Sequence, residues 1–151
     1  RSGKIDAIRH ALIFSEKKYK TKFDHVIDLD ATSPLRSIQD LKQAYKKFLK
    51  TNSSNLFTVT KSNRNPYFNM VEIKKSRVQL VKKTKKKYLR RQDTPITYDL
   101  NASIYIWKRQ SLLNSTNLIQ KKTSIHLMPK SRSFDIDDKL DFTLVSKLLK
   151  K

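Results

Sequence analysis

Residues 23–60 have the sequence FDHVIDLDATSPLRSIQDLKQAYKKFLKTNSSNLFTVT, and this stretch decides the fold. Residues 23–31 contain a compact apolar run, which is typical of a buried strand in a parallel sheet. After a polar loop, Ser37 and Asp40 predict a helix N-cap with an acidic partner, and apolar residues follow at helical spacing. Residues 56–60 alternate and predict a second strand. The order strand, helix, strand predicts an α/β fold with a mainly parallel sheet and a right-handed crossover.

The segments on either side of this unit extend the prediction to one domain over residues 1–151. Residues 4–20 predict a helix, residues 125–128 predict a short strand, and residues 112–120 fit either a short helix or a loop. Residues 138–151 predict an amphipathic helix. Its inward face is expected to contain Leu140, Leu144, Val145, Leu148 and Leu149.

The middle of the chain follows a different pattern. Residues 68–81 and 104–107 are β-like, and the basic run 82–91 separates them. We interpret residues 66–105 as an excursion of strands and loop that leaves the main sheet. Ligands of open α/β sheets bind beyond the carboxyl ends of the strands, so the loop at residues 30–36 is a candidate site on topology alone.

The composition is strongly basic, because 34 Lys and Arg residues against 13 Asp and Glu residues give a formal charge of +21. Such a charge predicts binding to nucleic acid or another anionic surface. An abundance of Lys, Asn, Ile and Ser with a single Gly is also typical of an AT-rich genome, which produces it without a polyanionic partner. A basic nucleic-acid-binding module is therefore an alternative, although the acidic motifs described below make nucleic acid an unlikely partner.

The chain contains no cysteine, which excludes disulfides, thiolate zinc sites and a thiol nucleophile and fits a reducing cytoplasm. No apolar run approaches the roughly 18 residues that a membrane helix needs. We therefore expect a cytoplasmic protein with no membrane partner. The first residue is not Met, and a single glycine cannot form a glycine-rich phosphate loop. We interpret these two features as signs of an N-terminally truncated chain.

Two aspartates near the C-terminus, Asp135 and Asp137, occupy alternate positions of an extended segment. Alternate side chains of an extended chain point to the same side, and neighbouring carboxylates repel unless a cation lies between them. Mg²⁺ is the usual cation where phosphates are handled, because it takes one or two carboxylates together with phosphate oxygens and water. The other interpretation is that these aspartates cap the final helix and interact with its positive end.

A second polar motif is Arg90-Arg91-Gln92, which ends the basic run. The guanidinium group of Arg is a rigid fork that fits a carboxylate in a bidentate manner. The lysines of residues 82–87 are more typical of a solvated surface.

Five segments, taken together and in this order, resemble the acylneuraminate cytidylyltransferases, also called CMP-sialic acid synthetases. The variants acting on legionaminic acid and related bacterial sugar acids are the most similar. The segments are residues 29–36 (LDATSPLR), 65–67 (NPY), 90–95 (RRQDTP), 101–105 (NASIY) and 133–137 (SFDID).

This resemblance implies a three-layer, Rossmann-like nucleotide-diphospho-sugar transferase fold. It also implies a homodimer in which an extended arm, corresponding to residues 66–105, reaches the partner's active site. The implied reaction joins CTP to a nine-carbon sugar acid and releases pyrophosphate, with Mg²⁺ as cofactor.

The resemblance also implies roles for individual residues. Asp135 and Asp137 would be the catalytic, metal-binding pair. The expected substrate-binding residues are Asp30, Arg91, Gln92, Asn101 and Tyr105.

The chain departs from the family pattern in several places. The family's opening element, which holds the triphosphate and cytosine, is absent, so we expect this chain alone to be inactive, and a non-catalytic remnant of the family is a further alternative. Asp30 replaces a common Gln that contacts the sugar, and Ala102 replaces a common Gly.

Overall fold

A computed structural model describes residues 3–150 of the chain. Two three-residue turns of 3₁₀ helix, Arg91–Asp93 and Lys130–Arg132, interrupt the loops. The helices and strands are, in chain order, α1 Lys4–Tyr19, β1 His25–Leu29, α2 Ile38–Thr51, β2 Asn55–Lys61, β3 Val71–Lys74, β4 Arg77–Leu80, β5 Tyr98–Lys108, α3 Arg109–Asn114, β6 Thr123–Leu127 and α4 Lys139–Leu149.

The central sheet has the strand order β1-β5-β2-β6. Strands β1, β2 and β6 run in one direction, whereas β5 runs antiparallel to both of its neighbours, β1 and β2. The predicted strand, helix, strand unit is present, but β5 lies between its two strands. The mixed α/β class with strands of common direction is thus confirmed, and it is compatible with a Rossmann-like fold.

Helices cover both faces of this sheet. Strand β5 contributes to the core on each face, because its successive side chains alternate between the two faces. Tyr105 and Trp107 pack with Phe57 and with Leu12 of α1. On the opposite face, a second cluster is formed by Ala44 and Phe48 of α2 with Leu56, Ile104, Ile106 and Met128. The candidate site described below lies at the carboxyl end of β1, beside these two core layers.

Two helices begin with reciprocal caps. Ser37 Oγ accepts a hydrogen bond from Asp40 N at 3.1 Å, and Asp40 Oδ2 accepts one from Ser37 N at 2.9 Å, as the sequence predicted. Asp138 and Asp141 form the equivalent cap of α4.

The predicted inward face of α4 is only partly right. Val145 is buried, but Leu140 is 66% exposed and Leu149 is 59% exposed. Periodicity shows which residues share a helix face, but it does not show whether another element covers that face.

Strands β3 and β4 pair with each other in a separate two-stranded sheet. Their connecting turn places Lys75 and Ser76 at φ angles of 49° and 60°. The excursion is shorter than the predicted residues 66–105, because β5 begins at Tyr98. We call residues 66–97 the arm. Within the described part of the chain, no helix is both long enough and apolar enough to cross a bilayer.

Candidate active site

A bulge in β5 lies at the centre of the candidate site. Phe57 pairs with Tyr105 and Val59 pairs with Leu100, so residues 101–104 of β5 all face Thr58. Thr58 Oγ1 bridges this gap, since it donates to Asn101 Oδ1 at 2.7 Å and accepts from Ile104 N at 3.0 Å. Bulges of this kind turn side chains away from the regular alternation of a strand and are frequent beside active sites.

The bulge contains a residue in an unusual backbone conformation. Ala102 has a φ angle of 51°, in the left-handed region where residues with a β-carbon are strained. This explains in physical terms why glycine suits the position, since glycine enters that region without steric cost. The chain keeps alanine there, so the bulge is held by its hydrogen bonds and not by backbone preference.

The loop after β1 is fixed to this bulge by buried hydrogen bonds. Asp30 N donates to Ser103 O at 3.3 Å, and the fully buried Ser33 donates through Oγ to Asn101 O at 3.0 Å. Arg36 Nη1 donates to the carbonyl oxygens of Asp30 and Ser33 at 2.7 and 2.6 Å. Ser33 and Arg36 of the LDATSPLR motif therefore shape the loop.

The segment at residues 133–137 lies beside that loop. Ile136 N donates to Thr32 O at 2.9 Å, and Asn101 Nδ2 donates to Ser133 Oγ at 2.9 Å. Upstream of this segment, Arg132 forms a bidentate pair with the buried Asp40, at 2.7 and 2.8 Å. These bonds bring the acidic segment of residues 135–137 to the carboxyl end of β1.

A lysine lies among the acidic side chains at this point. Lys4 Nζ is 2.8 Å from Asp30 Oδ2 and 3.2 Å from Asp28 Oδ2. The same ammonium group lies 4.1 Å from the centroid of the Tyr105 ring. We call Lys4, Asp28, Asp30 and Tyr105 the Lys4 cluster.

The charges of this cluster shift the titration of its members. Burial disfavours the charged form of Lys4, but hydrogen bonds and charges from Asp30 and Asp28 outweigh it and raise the lysine pKa. The hydrogen bond from Lys4 lowers the pKa of Asp30, against the opposing effect of burial. Burial raises the pKa of Tyr105. The charge of Lys4 lowers this pKa, and the carboxylates of Asp30, Asp28 and Asp135 raise it further. The phenol of Tyr105 thus experiences both acidic segments at once.

The side chains of the predicted metal ligands, Asp135 and Asp137, take no part in the cap of α4. Asp135 is half-buried and accepts from Ile136 N at 3.1 Å, whereas Asp137 is exposed. The cap is formed by Asp138, which accepts from Leu140 N and Asp141 N at 2.8 and 2.9 Å. Both carboxylates offer the hard oxygen donors that Mg²⁺ prefers, so the pair fits this ion.

Asp135 and Asp137 are not part of a larger cage. Among the residues described, no three His, Cys, Asp or Glu side chains are grouped to hold a metal. A magnesium ion at this pair would therefore take its other ligands from phosphate and water, which is the usual arrangement for this ion.

Arg91 and Gln92 lie elsewhere in the same chain. Both line a cavity of about 960 Å³ beyond the ends of β2 and β6, together with Lys61 and Lys130. Arg91 Nη2 donates to Ser62 O at 3.0 Å. Tyr105 is not among the residues that line this cavity, and a shared substrate site of Arg91, Gln92 and Tyr105 stays a prediction.

Three curated proteins show what the chain is similar to, and no protein-family model matches it. It is 42% identical over 150 residues to the post-translational flagellin modification protein B of Campylobacter coli. It is 46% identical over 149 residues to the CMP-N,N'-diacetyllegionaminic acid synthase of Campylobacter jejuni. Each alignment covers 99% of this chain and 63% of the relative. A pseudaminic acid cytidylyltransferase of Campylobacter jejuni is 27% identical over 128 residues, which are 85% of this chain and 55% of that protein.

These similarities support the cytidylyltransferase family for this chain. The resemblance inferred from the five short segments is thereby confirmed. The chain spans less than two thirds of the length of these relatives.

Sequence reasoning missed two residues of the candidate site, Lys4 and Asp28. Asp28 carried a usable signal, because Asp28 and Asp30 alternate along an extended segment as Asp135 and Asp137 do. Lys4 carried none, because it meets Asp30 across 26 residues of chain. Asn101 was expected in a sugar pocket; it is buried with its amide bonded to Thr58 and Ser133, and its contact with substrate stays a prediction.

Proposed function

We propose that this chain is the sugar-acid-binding part of a cytidylyltransferase that transfers CMP from CTP to a nonulosonic acid and releases pyrophosphate. One observation carries the proposal: at the carboxyl end of β1, Lys4 Nζ lies 2.8 Å from Asp30 Oδ2 and 4.1 Å from the Tyr105 ring centroid, and Ile136 N of the acidic segment donates to Thr32 O. Ligands of α/β sheets bind at such an edge. The names of the relatives supply the substrate class, and we expect the cytoplasm as the location.

The residues at this edge divide the work by their chemistry. Asp135 and Asp137 would hold Mg²⁺, which neutralises triphosphate charge when it is bound. Asp30 offers carboxylate oxygens to hydroxyl or amide donors of the sugar, and Tyr105 offers a phenol whose raised pKa keeps it a proton donor at neutral pH. Arg91 offers a guanidinium fork for the sugar carboxylate.

Arg91 lines a cavity that Tyr105 does not line, and a homodimer would bring an Arg91 to the Tyr105 of another subunit. The arm exposes the apolar side chains of Val71, Ile73 and Val78, and Ile73 is 79% exposed. Exposed apolar side chains grouped on one element are typical of a protein interface. We therefore propose that the arm packs on a second subunit and delivers Arg91 and Gln92 to that subunit's site.

The proposed reaction is tested by mixing the chain with CTP, Mg²⁺ and N,N'-diacetyllegionaminic acid and measuring pyrophosphate. The legionaminic acid synthase from Campylobacter jejuni, which is 46% identical, serves as the positive control. We expect the chain to bind the sugar acid by isothermal titration calorimetry without releasing pyrophosphate. Release of pyrophosphate would show an active chain, and absence of any sugar-acid binding would contradict the proposal.

The basic run supports a second candidate function, binding to single-stranded nucleic acid. Residues 82–87 are exposed, Lys86 Nζ lies 5.4 Å from the centroid of the Tyr88 ring, and Lys82 Nζ lies 4.9 Å from that of Tyr67. Aromatic rings beside cations suit stacked bases and phosphates. Fluorescence anisotropy with a labelled oligonucleotide distinguishes a nucleic-acid-binding site from nonspecific charge attraction, because binding by charge attraction alone disappears at moderate salt.

A further inference from the structure

The ammonium group of Lys4 forms salt bridges with two carboxylates, those of Asp28 and Asp30. Its side chain is 41% exposed, whereas those of Asp28 and Asp30 are 26% and 30% exposed. Asp28 Oδ2 is buried, and within the described residues it has no hydrogen-bond partner of good geometry, so the nearby Lys4 charge is its closest compensation. Leaving a buried carboxylate oxygen uncompensated is costly.

The charge balance at the end of β1 depends on this one lysine. The carboxylates of Asp28, Asp30 and Asp135 all raise the pKa of Tyr105, whereas Lys4 lowers it. A sugar acid and a nucleoside triphosphate are anions, so three carboxylates without a cation would repel both. Lys4 is the cation that contacts two of these carboxylates from within the chain.

Asp30 keeps free hydrogen-bonding capacity while it is paired. Its Oδ2 accepts from Lys4 Nζ, and its Oδ1 accepts from Thr32 Oγ1 at 3.0 Å and from Thr32 N at 3.4 Å. Each carboxylate oxygen has about two acceptor sites, so Oδ2 can accept one further bond. Lys4 likewise has three N–H donors and is partly exposed, so it can donate to a ligand oxygen.

We infer that Lys4 and Asp30 act as a charge-compensated pair that decides which sugar acid the site accepts. Lys4 is a positioning and specificity-determining residue in this inference, which rests on the proposed function. The pair admits an anionic sugar that presents a hydroxyl or acylamino donor to Asp30 and an oxygen acceptor to Lys4. Without Lys4, the same carboxylates repel the anion.

The first test measures the charge coupling in the chain itself, without any substrate. NMR titration of the Asp30 carboxyl and the Tyr105 phenol is compared between the unaltered chain, Lys4→Met and Lys17→Met. Lys17 is a matched control, because it is an exposed lysine of the same helix. We expect Lys4→Met to raise the pKa of both groups and Lys17→Met to leave them unchanged. Unchanged titration in Lys4→Met would overturn the inference.

The second test is a double-mutant cycle on binding of N,N'-diacetyllegionaminic acid, measured by calorimetry. We expect Lys4→Met to weaken binding by about tenfold, and Lys4→Met combined with Asp30→Asn to recover most of that loss, because the excess negative charge is removed. A loss that Asp30→Asn does not recover would mean that Lys4 acts only structurally. If the unaltered chain binds no sugar acid, the proposed function fails for this chain, and the titration alone decides whether Lys4 and Asp30 form the pair.

Discussion

The site region and the arm are held together in opposite ways. In the site region, buried polar groups such as Ser33, Thr58 and Asn101 bond to one another across separate segments. In the arm, β3 and β4 bond to each other, and apolar residues such as Ile73 are exposed. Buried hydrogen bonds between separate segments fix one geometry, whereas an exposed apolar hairpin lacks the packing that would stabilise it alone. One chain therefore organises the end of β1 by itself, whereas the arm leaves apolar side chains exposed.

The largest expected effect comes from removing the ion pair that joins the site's segments. Asp40→Ala removes the bidentate contact to Arg132 and the cap on Ser37, and we expect it to lower the free energy of unfolding by about 2–4 kcal/mol. Urea denaturation followed by circular dichroism measures this loss. Asp141→Ala, which removes the exposed carboxylate that accepts from Asp138 N in the reciprocal cap of α4, is the control and should cost about 1 kcal/mol. Equal losses in the two variants would show that the Arg132 pair contributes nothing to the site region.

Acid should weaken the fold through two paired carboxylates, Asp40 of α2 and Glu16 of α1. Burial alone would raise the pKa of Asp40, but hydrogen bonds from Arg132 and Ser37 lower it to about 2. Hydrogen bonds from Arg109 likewise lower the pKa of Glu16 to about 2. A lowered folded-state pKa stabilises the fold above the unfolded-state values of about 4, and this stabilisation disappears as the pH falls toward 2.

Thermal melting between pH 7 and pH 2 checks this dependence. We expect the melting temperature to fall mainly below about pH 4.5, and to fall less steeply in Asp40→Ala and in Arg109→Met, which each lack one of the two pairs. The same slope in all three proteins would contradict the assignment of acid sensitivity to these carboxylates.

A smaller effect compares the same backbone conformation in the two regions. Ala102 in the bulge and Lys75 in the hairpin turn have φ angles of 51° and 49°. We expect Ala102→Gly to raise the free energy of unfolding by about 1 kcal/mol, because glycine removes the left-handed strain. Lys75→Gly should change the global value by less than about 0.5 kcal/mol if the arm opens separately from the core. Equal gains in urea denaturation would show that the arm and the core unfold as one unit.

The smallest expected effect on stability is in the arm, where association should change instead. Ile73→Asp should leave the free energy of unfolding within about 0.5 kcal/mol, because the side chain is exposed, but it should convert the proposed dimer to a monomer. Size-exclusion chromatography with light scattering measures the mass. Lys74→Asp adds a carboxylate at the neighbouring position of the same strand and should leave the mass unchanged. A dimer that persists in Ile73→Asp would contradict the role of the arm.

Local sequence determined the elements and some of their ends. The Ser37 and Asp40 cap, the strand before it and the helix after it were all predictable, because caps and apolar periodicity act over three or four residues. The spacing of Asp135 and Asp137 also predicts a metal-binding pair, which stays a prediction. The family could be inferred because five short motifs kept their order along the chain.

Only the tertiary structure decided which distant residues meet. The insertion of β5 between β1 and β2, the contact of Lys4 with Asp30 and the pairing of Arg132 with Asp40 join segments far apart in sequence. No local periodicity records such contacts, because they depend on how the β5 bulge and the two helix layers pack. The sequence thus specified the chemistry available to this protein, and packing selected the few side chains that share one edge of the sheet.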